Sequence, residues 1–241
     1  MIIDGNRIAQ EKLESLKKGV AGMARKPKLA IVLVGDDPAS KIYVNLKVKK
    51  AAKIGIETEI RQDLDTDADG IIVQLPGGEG LIDHIPLEKD VDGLRKGSSF
   101  LPATVRAVLE LVENKNGQWV IVGQGRLVGR PLADLLKSKS LKVITCDINT
   151  PDLKSETLKG DILVVATGVP NLIKADMVKS GAVVIDCGAP RAEVDFENVK
   201  NVAGAITPVP GGVGPMTVIS LLENLVEATY NNTQSNSHTQ A

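Results

Sequence analysis

The feature that most limits what this chain can fold into is a regular alternation across its second half. Short apolar runs at 119–122, 142–146, 161–166, 182–187 and 202–206 are separated by short segments of helical spacing. Runs of this length, without polar alternation, suit strands covered on both faces. Strands that alternate with helices build a parallel sheet wrapped by those helices. The fold class is therefore α/β, with a Rossmann-like doubly wound parallel sheet in this half.

The first of these runs, Val120 to Val122, leads into Gly123-Gln124-Gly125. Gly129 and Pro131 then open a segment whose buried stripe is expected to be Leu132, Leu135 and Leu136. A strand, a glycine turn and a helix N-terminus together make an anion site, because free N–H groups and the helix dipole face the ligand. The next strand ends at Cys146 and is followed by Asp147, 24 residues after Gly123. A ribose-binding acid in a dinucleotide fold stands roughly 20 residues on. The spacing G-x-G-x-x-x-G is one residue longer than the usual fingerprint. Glycine turns between strand and helix also occur in α/β proteins that bind no nucleotide, so spacing alone leaves both readings open.

The first half is less regular. A helix is expected over 5–24, with Ile8, Leu13, Leu16 and Val20 inward, and a strand over 29–34 that ends at Gly35. In Asp36-Asp37-Pro38-Ala39-Ser40 an aspartate can cap a helix and Pro38 can take its first position; that helix runs to Ile54 and stops at Gly55. Tyr43 and Lys47 are four apart on it and share a face, with Ser40 a turn earlier. Five lysines fall between positions 41 and 53, so residue pattern alone favours a solvated face for Lys47. Strands are expected at 57–62 and 70–75, with Gln74 near the carboxyl end of the second, where ligands of open α/β sheets gather. The link between them is shorter than the ~10–12 residues that a helical crossover needs. Either the two strands are not neighbours, or the region is trimmed. Lys89 to Gly93 reads as a polar turn and 102–112 as a helix. A rigid loop spans Ile206 to Thr217, a helix spans 218–230, and the polar tail 231–241 is expected to be disordered. The Asn231-Asn232-Thr233 sequon carries no meaning without secretion.

Composition narrows the function classes. Among 241 residues, 43% are apolar and 24% charged, with a net charge of −1, so nothing points to nucleic acid or a membrane surface. Aromatics at 2% are too few for a base-stacking surface. Cys146 and Cys187 each end a strand and read as reduced core residues. No signal peptide precedes them, and no apolar run approaches the ~20 residues of a membrane span. A cytoplasmic protein without a metal site is the expectation.

Several blocks together carry a family resemblance. They are Val34-Gly35-Asp36-Asp37-Pro38-Ala39-Ser40 followed by Tyr43, Val44 and Lys47; Gly70 to Pro76; Lys89-Asp90-Val91-Asp92-Gly93; and Thr207-Pro-Val-Pro-Gly-Gly-Val-Gly-Pro-Met-Thr217. In this order the chain resembles the bifunctional methylenetetrahydrofolate dehydrogenase/methenyltetrahydrofolate cyclohydrolase family. The resemblance implies a catalytic domain over 1–105, joined by a returning helix at 218–230, a dinucleotide domain over 106–217, a folate cleft and a homodimer. It implies that Lys47 is the central catalytic residue, with Gln74 hydrogen-bonded near it. Tyr43 would pack on the aminobenzoyl ring and Asp92 would bond the pterin. Val73, Gln74 and Leu75, with Pro210, Gly211, Gly212, Val213 and Gly214, would line the substrate site. Gly123, Gln124, Gly125, Gly129, Asp147, Ile148 and Ala189 would hold the cofactor. His84 and His238 are the only histidines and neither is a convincing base, which leaves the proton transfers of hydrolysis to Lys47.

The departures from the family are informative. The chain is shortened between Ile56 and Gly70 and again between Gly93 and Pro102, and Pro102-Ala103-Thr104-Val105 replaces the usual Pro-Cys-Thr-Pro. Where the family commonly has Gly-Arg-Ser and Cys-His-Ser, this chain has Gly123-Gln124-Gly125 and Cys146-Asp147-Ile148. A carboxylate in place of a cation repels a 2′-phosphate and accepts hydrogen bonds from ribose hydroxyls, so NAD is expected rather than NADP unless Arg126 or Arg130 swings in. The alternatives are a dehydrogenase-only member, a trimmed non-catalytic folate- or nucleotide-binding protein, and another two-domain dehydrogenase resembling shikimate dehydrogenase. The Thr207–Thr217 loop and the Tyr43/Lys47 pair argue against the last.

Overall fold

The computed structural model describes residues 1–238, without the side chains of residue 39 and residues 235–238. The chain divides into two compact units. One, here the split unit, comprises Gln10–Ala103 and the chain from Val218 on; the other, the central unit, comprises Met1–Ala9 and Thr104–Thr217.

The split unit takes most of α1 (Gly5–Ala21), then β1 (Lys28–Val32), α2 (Pro38–Lys53), β2 (Glu57–Arg61) and β3 (Gly70–Val73). The helix α2 begins as its residues dictate. Asp37 is the N-cap and accepts from the Ser40 N–H at 2.7 Å, and Pro38 follows at the first position. Gly55, at φ +84°, ends it. The three strands are all parallel in the order β2-β1-β3. So β2 and β3 are not neighbours, which resolves the short link: residues 62–69 cross over without a helix.

That link is held by its own chemistry. Ala68 and Leu64 pack with Ala30, Val32, Ile71, Val73, Ile82 and Ile85 over one face of the sheet. The buried Asp69 carboxylate takes Arg25 Nη1 at 2.7 Å and the Lys28 N–H at 3.0 Å. Lys28 Nζ bonds Asp67 at 2.5 Å and Glu59 at 3.1 Å. Burial alone would raise the Asp69 carboxyl, but the Arg25 and Lys28 bonds outweigh it and hold the group below the usual range.

The central unit contains α3 (Ala103–Leu111) apart from its first residue, β4 (Gln118–Val122), α4 (Gly129–Ser138), β5 (Lys142–Cys146), α5 (Leu153–Thr157), β6 (Ile162–Val165), β7 (Val183–Asp186), α6 (Phe196–Val199) and β8 (Ala205–Ile206). Its five strands are parallel in the order β5-β4-β6-β7-β8. The chain turns back between β4 and β6, so the crevice for a ligand lies at their carboxyl ends. Val120, Val122, Leu163, Val165 and Val184 are buried in its core. In α4 the buried stripe is Leu132, Ala133 and Leu136, with Leu135 only partly covered, a slightly different face from the expected one.

Three boundaries differ from the sequence reading. Residues 1–9 join the central unit because Met1–Ile3 pairs with β8: Ile3 N–H donates to Ile206 O at 2.8 Å and Ile206 N–H to Met1 O at 3.0 Å. The last helix, α7 (Val213–His238), starts inside the glycine-rich loop, with Pro215 in its first turn, rather than at 218. It also continues through Asn231 to His238, where a disordered tail was expected; Thr233 Oγ1 donates to Thr229 O at 2.8 Å in that stretch. The rest of the tail, 239–241, lies outside the described residues. Among the described residues, no helix is long and apolar enough to cross a membrane.

Candidate active site

Helix α2 and strand β3 bring Lys47 and Gln74 together in the split unit. Lys47 Nζ donates to Gln74 Oε1 at 3.0 Å, and Gln74 Nε2 donates to Leu75 O at 2.7 Å. The second bond fixes the amide so that its oxygen faces the amine. Lys47 is therefore not on a solvated face. Burial pushes its ammonium below the ordinary lysine value, opposed by the charge of Asp92. Burial likewise pushes the Asp92 carboxyl up, with Lys47 opposing and Asp90 reinforcing. Both groups are driven toward their neutral forms.

Asp90 holds the turn that presents Asp92. Its carboxylate accepts from the N–H groups of Gly93 at 3.1 Å and Arg95 at 2.8 Å. Ala103 N–H donates to Asp92 O at 3.1 Å. Asn224 of α7 donates to Val91 O at 2.9 Å and Leu101 O at 3.1 Å, so the same turn is tied to the last helix. Tyr43, one turn before Lys47, keeps 40% of its surface exposed. Val73 is buried and Leu75 partly so, with a cis bond from Leu75 to Pro76. His84 is exposed at the end of a 3-10 turn (Glu79–His84) and bonds Gly80 O at 2.9 Å.

In the central unit the glycine turn sits at the carboxyl end of β4. A Cβ on Gly123 would lie 2.2 Å from Ala166 O, and one on Gly129 would lie 1.8 Å from Gly123 O. These two glycines permit a close approach that no other residue allows. A Cβ on Gly125 would meet nothing within 4 Å, and the residue is exposed. The residue before α4, Val128, offers no side-chain cap, but Arg130 N–H already donates to Gly125 O at 3.1 Å and Pro131 has no N–H, so an anion would meet the first turn at Gly129 and the glycine turn before it. The Gln124 side chain turns back, donating to Gly123 O at 2.9 Å and Ile121 O at 3.3 Å.

Asp147 is exposed at the carboxyl end of β5, and its position is set locally. Its N–H donates to Thr150 Oγ1 at 2.9 Å, and its Oδ1 accepts the Asn149 N–H at 2.9 Å. Ile148 beside it is 99% exposed. Ala189 is exposed at a cis bond to Pro190. In the loop after β8, Pro210 follows a cis bond and is exposed, Gly211, Gly212 and Val213 are buried, and Gly214 is exposed in the first turn of α7. Asn6 N–H donates to Gly211 O at 3.0 Å, and a Cβ on Gly5 would lie 1.9 Å from Gly212 O. Cys146 is buried and Cys187 partly so, both as free thiols; burial raises the Cys187 thiol far above its usual value.

The sequence reading passed over Thr167, Asp186 and Glu193. Asp186 and Glu193 are buried carboxylates at the carboxyl end of the same sheet. A charged residue closing an apolar run, as Asp186 does, was the available signal.

A desolvated amine in one parallel α/β unit and a glycine-turn crevice in the other define a two-unit α/β enzyme with an NAD(P)-binding domain. Residues 102–233 match the tetrahydrofolate dehydrogenase/cyclohydrolase NAD(P)-binding domain, and residues 3–67 match the catalytic domain of that family. The chain belongs to the tetrahydrofolate dehydrogenase/cyclohydrolase family. It is 41% identical to the bifunctional protein FolD of Sulfurihydrogenibium sp. over 94% of this chain and 96% of that one. That match runs over 275 aligned residues, more than the 241 present here, so the relative carries segments that this chain lacks. Among solved structures it resembles the FolD enzyme of Campylobacter jejuni, at a TM-score of 0.89 and 34% identity, over 96% of this chain and 99% of that one. It also resembles the Trypanosoma brucei enzyme, complexed with NADP and an inhibitor, at a TM-score of 0.88 and 30% identity, over 97% and 98% of the two chains.

Proposed function

We propose that this chain oxidises 5,10-methylenetetrahydrofolate to the 5,10-methenyl compound with NAD in preference to NADP, and then hydrolyses that product to 10-formyltetrahydrofolate. The observation that carries the reading is the Lys47–Gln74 pair: an amine 3.0 Å from an oriented amide oxygen, desolvated so that its neutral form is favoured. A neutral amine that donates one N–H to Gln74 keeps its lone pair for another proton. It can then take a proton from water as that water adds to the methenyl carbon, and return it to the departing nitrogen. The first step needs no protein base, because the cation that forms is delocalised over two nitrogens; orientation suffices. Asp92, whose carboxyl burial pushes up, is suited to hydrogen-bond the pterin, and the exposed ring of Tyr43 offers a face to the aminobenzoyl group.

The residues of the central unit fit a dinucleotide. The α4 N-terminus with Gly123, Gly125 and Gly129 would take the pyrophosphate, Asp147 the ribose hydroxyls, and the bare Ile148 side chain the adenine. The cofactor, when bound, supplies the hydride acceptor. Two observations support NAD: an exposed carboxylate stands where a 2′-phosphate would approach, and Gln124 is folded onto the turn and supplies no cation. We also propose a homodimer. The outer edge of β2 carries Ile60 with 56% of its surface exposed, and sedimentation at twice the chain mass is expected.

The test is steady-state oxidation of methylenetetrahydrofolate with each cofactor, followed by Lys47→Met. NAD should give the higher kcat/KM; an equal or higher value with NADP overturns the preference. Asp147→Ser should lose about tenfold in kcat/KM for NAD, the worth of about one charged hydrogen bond, and gain activity with NADP. Lys47→Met should lower methenyl hydrolysis by about 10²–10⁴, to the spontaneous rate. A variant that hydrolyses as fast as the parent removes Lys47 from the mechanism.

A further inference from the structure

The carboxyl ends of β6, β7 and β8 are joined by a relay of buried hydrogen bonds that the chemistry above does not use. Thr207 Oγ1 accepts the Asp186 N–H at 2.8 Å. The Asp186 carboxylate then accepts from three N–H groups: Gly188 at 2.8 Å, Glu193 at 2.9 Å and Val194 at 2.9 Å. That fixes Glu193, whose own carboxylate accepts the Thr167 N–H and the Thr167 hydroxyl on one oxygen, each at 2.6 Å, and the Gly168 N–H on the other at 2.9 Å. Glu193 is only 3% exposed.

The segment so clamped forms one wall of the crevice. Thr167 and Gly168 follow β6, the strand beside β4 at the point where the sheet order reverses. Ala166 N–H donates to Val122 O at 2.8 Å, and the Ala166 carbonyl is the atom that keeps position 123 a glycine. The opposite wall is the glycine turn and the start of α4 at Gly129, which no side chain caps. Two N–H groups of the β6 wall are already spent on a carboxylate, so this wall cannot serve a phosphate. It is left for the uncharged, ring-bearing part of a dinucleotide, while the pyrophosphate faces α4.

We propose that Glu193 is a positioning residue for the dinucleotide: through Thr167 and Gly168 it sets the wall of the crevice opposite the α4 N-terminus. A carboxylate is required because it accepts at both oxygens. Glutamine has one acceptor oxygen and would turn an N–H₂ toward one of the backbone N–H groups it must satisfy. This inference rests on the proposed function, and its test separates the two.

Calorimetric binding of NAD to the full chain should weaken by about tenfold in Glu193→Gln. Hydrogen exchange at the Gly168 amide, measured without dinucleotide, should quicken. Oxidation should show a raised KM for NAD with an unchanged KM for the folate, while hydrolysis of added methenyl substrate, which uses no dinucleotide, stays within twofold of the parent. NAD binding and KM within twofold of the parent would overturn the proposal. So would equal losses in oxidation and hydrolysis, which mark a general loss of folding. Should Glu193→Gln fail to melt cooperatively, Thr167→Val, which deletes one donor and keeps the backbone, is read by the same criteria. A parent that binds NAD but turns over no folate would sink the proposed reaction, and the calorimetry and exchange would still decide the role of Glu193.

Discussion

Lys47 is one of five lysines in a thirteen-residue stretch, and nothing in that stretch marks it out by charge or spacing. What distinguishes it lies elsewhere in the chain, the Gln74 amide on the far side of β2 in sequence, and only the fold brings the two within 3.0 Å. The family blocks named Lys47, whereas residue periodicity alone favoured a solvated side chain. Its burial has a measurable cost. A lysine whose folded pKa is lowered binds fewer protons than its unfolded form between that lowered value and about 10.4, so stability rises with pH across the window. Lys47→Met removes this dependence. The variant should be more stable than the parent at neutral pH, and the gap should close toward about pH 10.4, as read by urea unfolding at a series of pH values. A gap that does not change with pH would mean that the amine is protonated in the folded protein.

At the level of elements, the glycine turn and the helix starts were legible because each has a steric reason visible in the residue type. Asp37-Pro38 starts α2, Gly55 stops it, and Gly123 and Gly129 fold β4 back against α4. The two glycines of the turn should be unequal under substitution. Gly129→Ala drives a Cβ to 1.8 Å from a carbonyl and should cost NAD binding and more than about 2 kcal/mol of stability. Gly125→Ala meets nothing within 4 Å and should leave the melting temperature unchanged. The link between β2 and β3 was not legible beyond its shortness, since its order comes from Arg25 and Lys28, distant in sequence. Asp69→Asn should cost about 1–3 kcal/mol at neutral pH. Because the Asp69 pKa is held low, that loss should vanish as pH falls through its folded value, below about 3.9, where the parent carboxylate is protonated too. A Gln124 amide folded onto its own turn, and the Asp186–Glu193 relay, were equally invisible, because hydrogen-bond direction leaves no periodic trace in a sequence.

Over the whole molecule, the two units differ in how the chain supplies them. The central unit takes one long continuous stretch, Thr104–Thr217, with a short contribution from Met1–Ala9. The split unit is built from segments more than a hundred residues apart, and α7 is a working part of it. Leu225 lies against Gly70, where a Cβ would come within 2.7 Å, and Asn224 holds the turn that carries Asp92. A chain stopped after Thr217 should therefore still bind NAD with its ordinary affinity by calorimetry, yet lose all methenyl hydrolysis; loss of both would show that the central unit needs α7 beyond its first turn. The same arrangement has a consequence during synthesis. As the nascent chain leaves the ribosome, every strand of the nucleotide-binding sheet emerges before the helix that closes the lysine-bearing half. That earlier half must wait with its core open while about a hundred residues are translated, on the order of 5–20 s at 5–20 residues per second. The buried amine of Lys47 is thus among the first groups to be made and among the last to have its surroundings completed.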